Sequence, residues 1–151
     1  MSEVLEKIIK EKISADHLLY VSMKYTKTCD VMINLIKRWK IMMDYAFESL
    51  LDKSKKKKII KKIPDAPKLK IDLIRETFSK EESVIKALEE YQLFKLIEVL
   101  KKTKENEFRK GVCLKVIYKG EEISINLEKL KEYAEIQENF IAFVKRYILA
   151  K

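Results

Sequence analysis

A mainly α fold is what this chain predicts: a single-domain helical bundle of about five to six helices, with one small β-hairpin before the C-terminal helix. Three observations lead there. The 151 residues include only two glycines and two prolines, a scarcity that suits long helices and not a many-turned sandwich or barrel. Apolar residues recur at three- and four-residue spacing along most of the length, as in helices with one buried stripe. Around residues 107–126 alone the period falls to two. A chain of this length buries roughly two thirds of its unfolded surface, enough for one core spanning residues 1–151.

Residues 2 to about 26 carry Leu5, Ile8, Ile9, Ile13, Leu18, Leu19 and Met23 near helical spacing, predicting one helix, or two with a break near Ser14. Lys24–Asp30 reads as a turn in which Thr28 or Asp30 accepts from the first free amides of the next helix. That helix, about 29–52, has a buried stripe of Met32, Leu35, Ile36, Trp39, Met42, Met43, Ala46, Phe47 and Leu50. Ile59, Ile60 and Ile63 punctuate a lysine run and predict a short helix laid on the body by its apolar side, ended by Pro64-Asp-Ala-Pro67. Asp65 can cap a helix over about 66–78 that presents Leu69, Leu73, Ile74 and Phe78. Ser79-Lys-Glu-Glu82 has the form of a reciprocal capping box opening a helix over 80–103, with Val84, Leu88, Tyr91, Phe94 and Leu100 apolar. Val112, Leu114, Val116 and Tyr118 then alternate with Cys113, Lys115, Ile117 and Lys119. Gly120 turns the chain into Glu122–Ile125, a hairpin pattern. Asn126 caps the last helix, about 127–149, whose inner face is Leu130, Tyr133, Ala134, Phe140, Ile141, Val144 and Ile148.

Positive charge is concentrated in one place. Within residues 53–70, Lys53, Lys55, Lys56, Lys57, Lys58, Lys61, Lys62, Lys68 and Lys70 meet a single acid, Asp65, so this stretch carries nearly all of the net charge of +9. Closely spaced ammonium groups displace counterions condensed on a phosphate backbone, which gives salt-dependent and largely sequence-independent binding. Lysine in place of arginine favours phosphate contact over bidentate reading of bases. The plainer reading is a solvated basic segment that keeps the protein soluble. Ile59, Ile60 and Ile63 are too few to anchor the segment in a membrane surface, and no window approaches the roughly 18 consecutive apolar residues of a membrane span. The N-terminus lacks a cationic leader ahead of an apolar stretch. Two cysteines, Cys29 and Cys113, make no disulfide framework, and a reducing, cytoplasmic setting is expected.

Several chemistries are excluded by what is missing. The lone histidine, His17, precedes Arg38, Arg75, Arg109 and Arg146, so the arginine followed about one helical turn later by a histidine, as in helical ribonucleases of the HEPN class, does not occur. His17 reads as structural, partly buried beside Leu18 and Leu19. One histidine and two distant cysteines give no zinc set, and Gly111 and Gly120 stand in no phosphate-cradling fingerprint. Carboxylates remain. Asp44, Glu48 and Asp52 recur every four residues on one helix face and, joined by acids from another element, could hold Mg²⁺ for phosphodiester hydrolysis. The plainer reading is a solvated face with Lys40 and Asp44 one turn apart. No metal or other cofactor is expected outside that Mg²⁺ nuclease alternative.

Ser14-Ala-Asp-His-Leu-Leu-Tyr-Val-Ser-Met-Lys-Tyr25, the long helix after it, and the late stretch from Glu107-Phe-Arg-Lys-Gly111 through Ile123-Ser-Ile-Asn-Leu-Glu-Lys-Leu-Lys-Glu-Tyr133 resemble a family of small archaeal proteins with a ribonuclease III-like helical fold. The resemblance implies an all-helical dimer and a link to RNA. True ribonuclease III enzymes carry a Glu-Arg-Leu-Glu-Phe-Leu-Gly-Asp signature, whereas the nearest stretch by position, Asp44-Tyr-Ala-Phe-Glu-Ser-Leu-Leu-Asp52, lacks the glycine and is spaced differently. No catalytic residue is therefore carried over. No C-terminal double-stranded RNA-binding domain is expected within residues 1–151.

Together these readings lead to an expected cytoplasmic homodimer that associates with RNA through the lysines of residues 53–70 without cleaving it. The alternatives are a homodimeric interaction or structural module with no nucleic-acid role, and a Mg²⁺-dependent endoribonuclease. Trp39, Met42 and Met43 are expected near the contact between copies, because a helix so rich in large side chains is hard to cover with one small subunit. Burial of the three in the monomer core is the other reading.

Overall fold

A computed structural model of the chain describes residues 3–151; Ser2, where the first helix is expected to begin, lies outside them. Helix α1 (Glu3–His17) runs unbroken through Ser14 and enters a wider π turn, Leu18–Ser22, then a last short turn, α2 (Met23–Tyr25). The irregularity therefore falls after Ser14. Ala15, Leu19 and Met23, four apart, remain buried across it, while Tyr20 and Val21 are left exposed.

The central element is α3 (Cys29–Lys56). Thr28 caps it by accepting from the Val31 amide at 3.3 Å, as its sequence position predicts. Asp30 instead pairs with Lys104. The whole expected stripe from Met32 to Leu50 is buried. α1 packs antiparallel along α3, with Glu11 opposite Arg38 and Lys7 beside Tyr45.

Four expectations in the middle of the chain are corrected. Residues 57–66 contain no helix, because α3 already ends in a capped turn. Ile60 and Ile63 reach the core from irregular backbone, and Ile59 is exposed. Helix α4 (Pro67–Thr77) is capped by Ala66 with no side-chain bond, so Asp65 does not cap it; Pro67 opens it, a position where the missing amide is unneeded. Helix α5 (Glu82–Phe94) starts after Glu81, and the Ser79–Glu82 box does not form. Phe78 is the reason: it is buried among Phe143 and Tyr147, and the chain turns tightly there, with the Glu81 amide bonding the Phe78 carbonyl. Finally, α5 stops at Phe94 instead of continuing to residue 103, and residues 102–105 form a strand.

That strand makes the expected hairpin a three-stranded antiparallel sheet in the order β1-β2-β3, with β1 (Lys102–Glu105), β2 (Cys113–Tyr118) and β3 (Glu121–Ile125). An all-helical fold, which the family resemblance implies, is corrected by the same finding. Register places Lys104 opposite Leu114, and Leu114 opposite Ile125. Lys119 and Gly120 both adopt positive φ, 53° and 79°, as a tight two-residue hairpin turn requires.

Helix α6 (Leu127–Leu149) closes the bundle, with Asn126 accepting from the Lys129 amide at 2.8 Å. It runs parallel to α3: Trp39 meets Tyr133, Phe47 meets Phe140, and Ser54 meets Tyr147. It runs antiparallel to α5, with Glu90 on Gln137 and Phe94 on Tyr133. Buried apolar residues from all these helices and from the sheet join one cluster. No helix among the described residues is long and apolar enough to cross a membrane.

Candidate functional site

The nine lysines begin where α3 ends. Lys58 takes a left-handed φ of 63° just past the helix, its amide bonding the Lys55 carbonyl at 3.0 Å while the Ile59 amide bonds that of Ser54 at 2.9 Å. These two bonds define a C-terminal cap of the kind usually built on glycine. Here a lysine adopts the strained backbone. Lys53, Lys55 and Lys56 occupy the last turn of α3, where unpaired carbonyls leave partial negative charge that favours cations.

Parallel packing brings the C-terminus of α6 to the same end. The Ser54 and Tyr147 hydroxyls lie 2.6 Å apart, Lys53 Nζ donates to the Ala150 carbonyl at 2.6 Å, and Lys57 Nζ sits 4.8 Å from the Tyr147 ring centre. Two negative helix ends thus converge under the start of the lysine segment. Lys55, Lys56, Lys57, Lys58, Lys61, Lys62 and Lys68 are exposed, and Lys53 and Lys70 are half-buried. Among the described residues none of the nine forms an ion pair with a carboxylate. Elsewhere Lys12, Lys37, Lys40, Lys86, Lys104, Lys115 and Lys129 do.

Lys70 is set apart from its neighbours by where it points. It lines a cleft of about 340 Å³ between α3, α4 and α5, together with Asp44, Glu48 and Asp52. Phe47, Leu51, Ile71 and Ile74 supply its apolar lining, and Tyr91 and Lys95 stand on the α5 side. The Tyr91 hydroxyl donates to Asp44 Oδ1 at 2.6 Å, and Lys40 Nζ pairs with Asp44 Oδ2 at 2.7 Å. Burial, and then the bond to Asp44, raise the Tyr91 pKa above its ordinary value.

The carboxylates do lie on one face, yet Asp44 and Asp52 are two helical turns apart, on the order of 11 Å. Across the cleft stand lysines and a phenol, not further acids. Among the described residues no group of three or more histidine, cysteine, aspartate or glutamate side chains is placed to hold a metal ion. Lys40 already pairs with Asp44, and Lys70 and Lys95 line the same cleft, so the chain's own cations stand where a metal ion would need further acids.

Other expected residues are also relocated. Trp39, Met42 and Met43 lie in the monomer core, with Trp39 stacked on Phe94 and edge-on to Tyr133. They are covered by this chain's own helices, so they offer no surface for a second copy. His17 is exposed and not partly buried; it shares a shallow depression with Ile13, Asn34 and Arg38, and Arg38 is already turned to Glu11 at 3.5 Å. Cys29 and Cys113, far apart in sequence, meet in space: Cys29 Sγ donates to the Cys113 carbonyl at 3.3 Å, and both thiols are free. Burial pushes the Cys29 thiol up to about 11, so little thiolate forms at neutral pH.

Tyr91, Lys95, Tyr147 and Ala150 are parts of these sites that sequence spacing does not single out. Tyr91 shows as a core residue in an apolar stripe, and the others acquire their role through helix pairing. No protein-family model, no curated protein and no solved structure matches the chain.

Proposed function

We propose that this protein binds the phosphate backbone of RNA through the lysines of residues 53–70 and does not cleave it. The observation that carries the reading is the concentration of unmatched charge: nine lysines in eighteen consecutive positions with no carboxylate partner among the described residues, whereas seven of the twenty lysines elsewhere pair with an acid. Helix-end attraction accounts for part of the cluster, at about 0.3–1 kcal/mol for each cation in the last turn. It does not reach Lys61, Lys62 or Lys68, which follow the end of α3 by several residues. Crowded, exposed ammonium groups repel one another, and an anionic polymer relieves that repulsion by releasing its own counterions. Lys58 adds support, since it keeps a cation where glycine would relieve backbone strain. The likeness of residues 14–25 and 107–133 to a ribonuclease III-like family points to the same polymer.

Recognition of this kind is by charge, with little base selectivity. Affinity for single- and double-stranded RNA should fall by about a thousand-fold or more between 50 and 200 mM salt if most of the lysines engage phosphates. Changing Lys53, Lys55, Lys56, Lys57, Lys58, Lys61 and Lys62 to Gln should weaken binding and flatten the salt dependence. Equal affinity in parent and variant would overturn the reading. Binding that persists at high salt would favour a protein-interaction module instead.

A further inference from the structure

At the opposite end of α3 the surface carries a different combination of groups. The loop between β1 and β2 is drawn against the turn before α3: the Phe108 amide donates to the Lys27 carbonyl at 2.6 Å, and Glu107 Oε2 accepts from the Cys29 amide at 3.0 Å. Phe108 and Tyr25, two residues before Lys27, are thereby held in one corner. Each residue is 78% exposed, and with Val99 they are the most exposed large apolar side chains among the described residues. Phe108 also holds a left-handed φ of 63°, a conformation that disfavours a side chain with a β-carbon. Its backbone is fixed at some conformational cost, and its ring contributes nothing to the core.

The charges around these rings are one-sided. Lys24 Nζ lies 5.8 Å from the Tyr25 ring centre, Lys27 Nζ donates to the Lys24 carbonyl, and Arg109 and Lys110 follow Phe108 in the exposed loop. None of these four cations pairs with a carboxylate among the described residues. The acids nearby are already engaged: Asp30 with Lys104, Glu105 with Lys115, and Glu107 with the start of α3. Exposed aromatic faces set among unpaired cations are the arrangement that receives unpaired bases, since every base has a π face to stack and a phosphate beside it. A neutral protein or lipid surface would use the apolar rings but leave the cations unanswered, and an anionic lipid surface would meet the cations but needs a broader apolar face than two rings to hold the protein there.

We infer that Tyr25 and Phe108 form a stacking platform for single-stranded nucleic acid, with Lys24, Lys27, Arg109 and Lys110 contacting the phosphates. The platform stands independently of the lysine segment, because α3 holds the two about 40 Å apart. A strand long enough to reach both would be gripped by charge at one end and by its bases at the other.

The test is a titration of the full chain with the tetranucleotide of adenylate, too short to span α3, followed by amide NMR. The resonances of residues 24–28 and 106–111 should shift saturably. The double variant Tyr25→Leu, Phe108→Leu, which keeps apolar bulk and removes both π faces, should bind about ten-fold or more weakly, with its other resonances unchanged. The variant with seven lysines changed to Gln should bind the tetranucleotide as the parent does. Absence of shifts in this corner, equal affinity in the leucine variant, or loss of binding in the glutamine variant would each overturn the inference. So would a concentration-dependent shift of the same resonances without nucleic acid, which would mark the corner as a contact between copies.

Discussion

Lys58 and Glu90 are the residues at which local chemistry and fold conflict most clearly. A lysine at φ 63° where glycine is unstrained predicts that Lys58→Gly raises stability by about 0.5–1 kcal/mol, measurable as a higher denaturation midpoint. If the lysine segment binds RNA, the same change should slightly weaken binding. Glu90 is buried between α5 and α6, where Gln137 Nε2 donates to its Oε1 at 2.8 Å, while Glu90 Oε2 and Gln137 Oε1 find no partner among the described residues. Burial raises the Glu90 pKa to about 8; the Gln137 bond and Lys129 oppose the shift, and Glu89 adds to it. A protonated Glu90 supplies one hydrogen donor to a pair of buried oxygens that otherwise have none. The folded chain holds this proton between about pH 4.5 and 8 and the unfolded chain does not, so stability declines as pH rises through that interval. Glu90→Gln should remove the decline, leaving the variant more stable than the parent at pH 9 and little changed at pH 5 in guanidinium titrations. A parallel pH dependence in both proteins would show that the carboxyl is charged throughout.

Among elements, α3 is the one whose sequence pattern and structure agree most fully, since each of its nine stripe residues is buried. Its N-terminus is secured twice. Thr28 shares the work with Glu107, a distant residue that satisfies the Cys29 amide. Thr28→Ala should therefore cost less than Asn126→Ala, which removes the side-chain cap of α6 and should cost about 1 kcal/mol. Thermal midpoints of the two variants make the comparison, and a larger loss for Thr28→Ala would contradict it. In the sheet, a β-carbon added at Gly120 would meet open space, but the φ there is +79°, so Gly120→Ala should destabilise by about 1 kcal/mol through conformation alone. Strand β1 was hidden for a physical reason. Lys102-Thr-Lys-Glu105 is a polar edge strand without a buried alternating face, and its pairing with β2 is made by backbone groups that carry no residue code. The Ser79–Glu82 box misleads in the opposite way: its residue types are right, but burying Phe78 displaces the helix start by a few residues.

For the whole molecule, the parallel alignment of α3 and α6 decides where charge can gather. Their C-terminal ends meet through Ser54, Tyr147, Lys53 and Ala150, giving the lysine segment a base of two negative helix ends. Replacing the seven lysines with Gln should leave the helical content and the cooperative unfolding transition intact, because none of the seven makes an ion pair among the described residues and the core lies elsewhere. A molten or unfolded variant would show that the segment is structural. The cleft and the aromatic corner have the same origin in assembly: Tyr91 reaches Asp44, and Phe108 reaches the turn at Lys27, through contacts between segments remote in sequence.

By itself the sequence determined the helical class, the buried stripes of α3 and α6, the β2–β3 hairpin and the Thr28 and Asn126 caps. Periodicity and short-range hydrogen bonding act within a few residues, so a linear reading captures them. Tertiary structure alone decided that Trp39, Met42 and Met43 are covered within one chain and not by a second copy, that Cys29 meets Cys113, and which lysines remain without acids. Those outcomes depend on which helix faces find each other, and burial energy rewards many pairings of apolar stripes almost equally until the complete packing selects one.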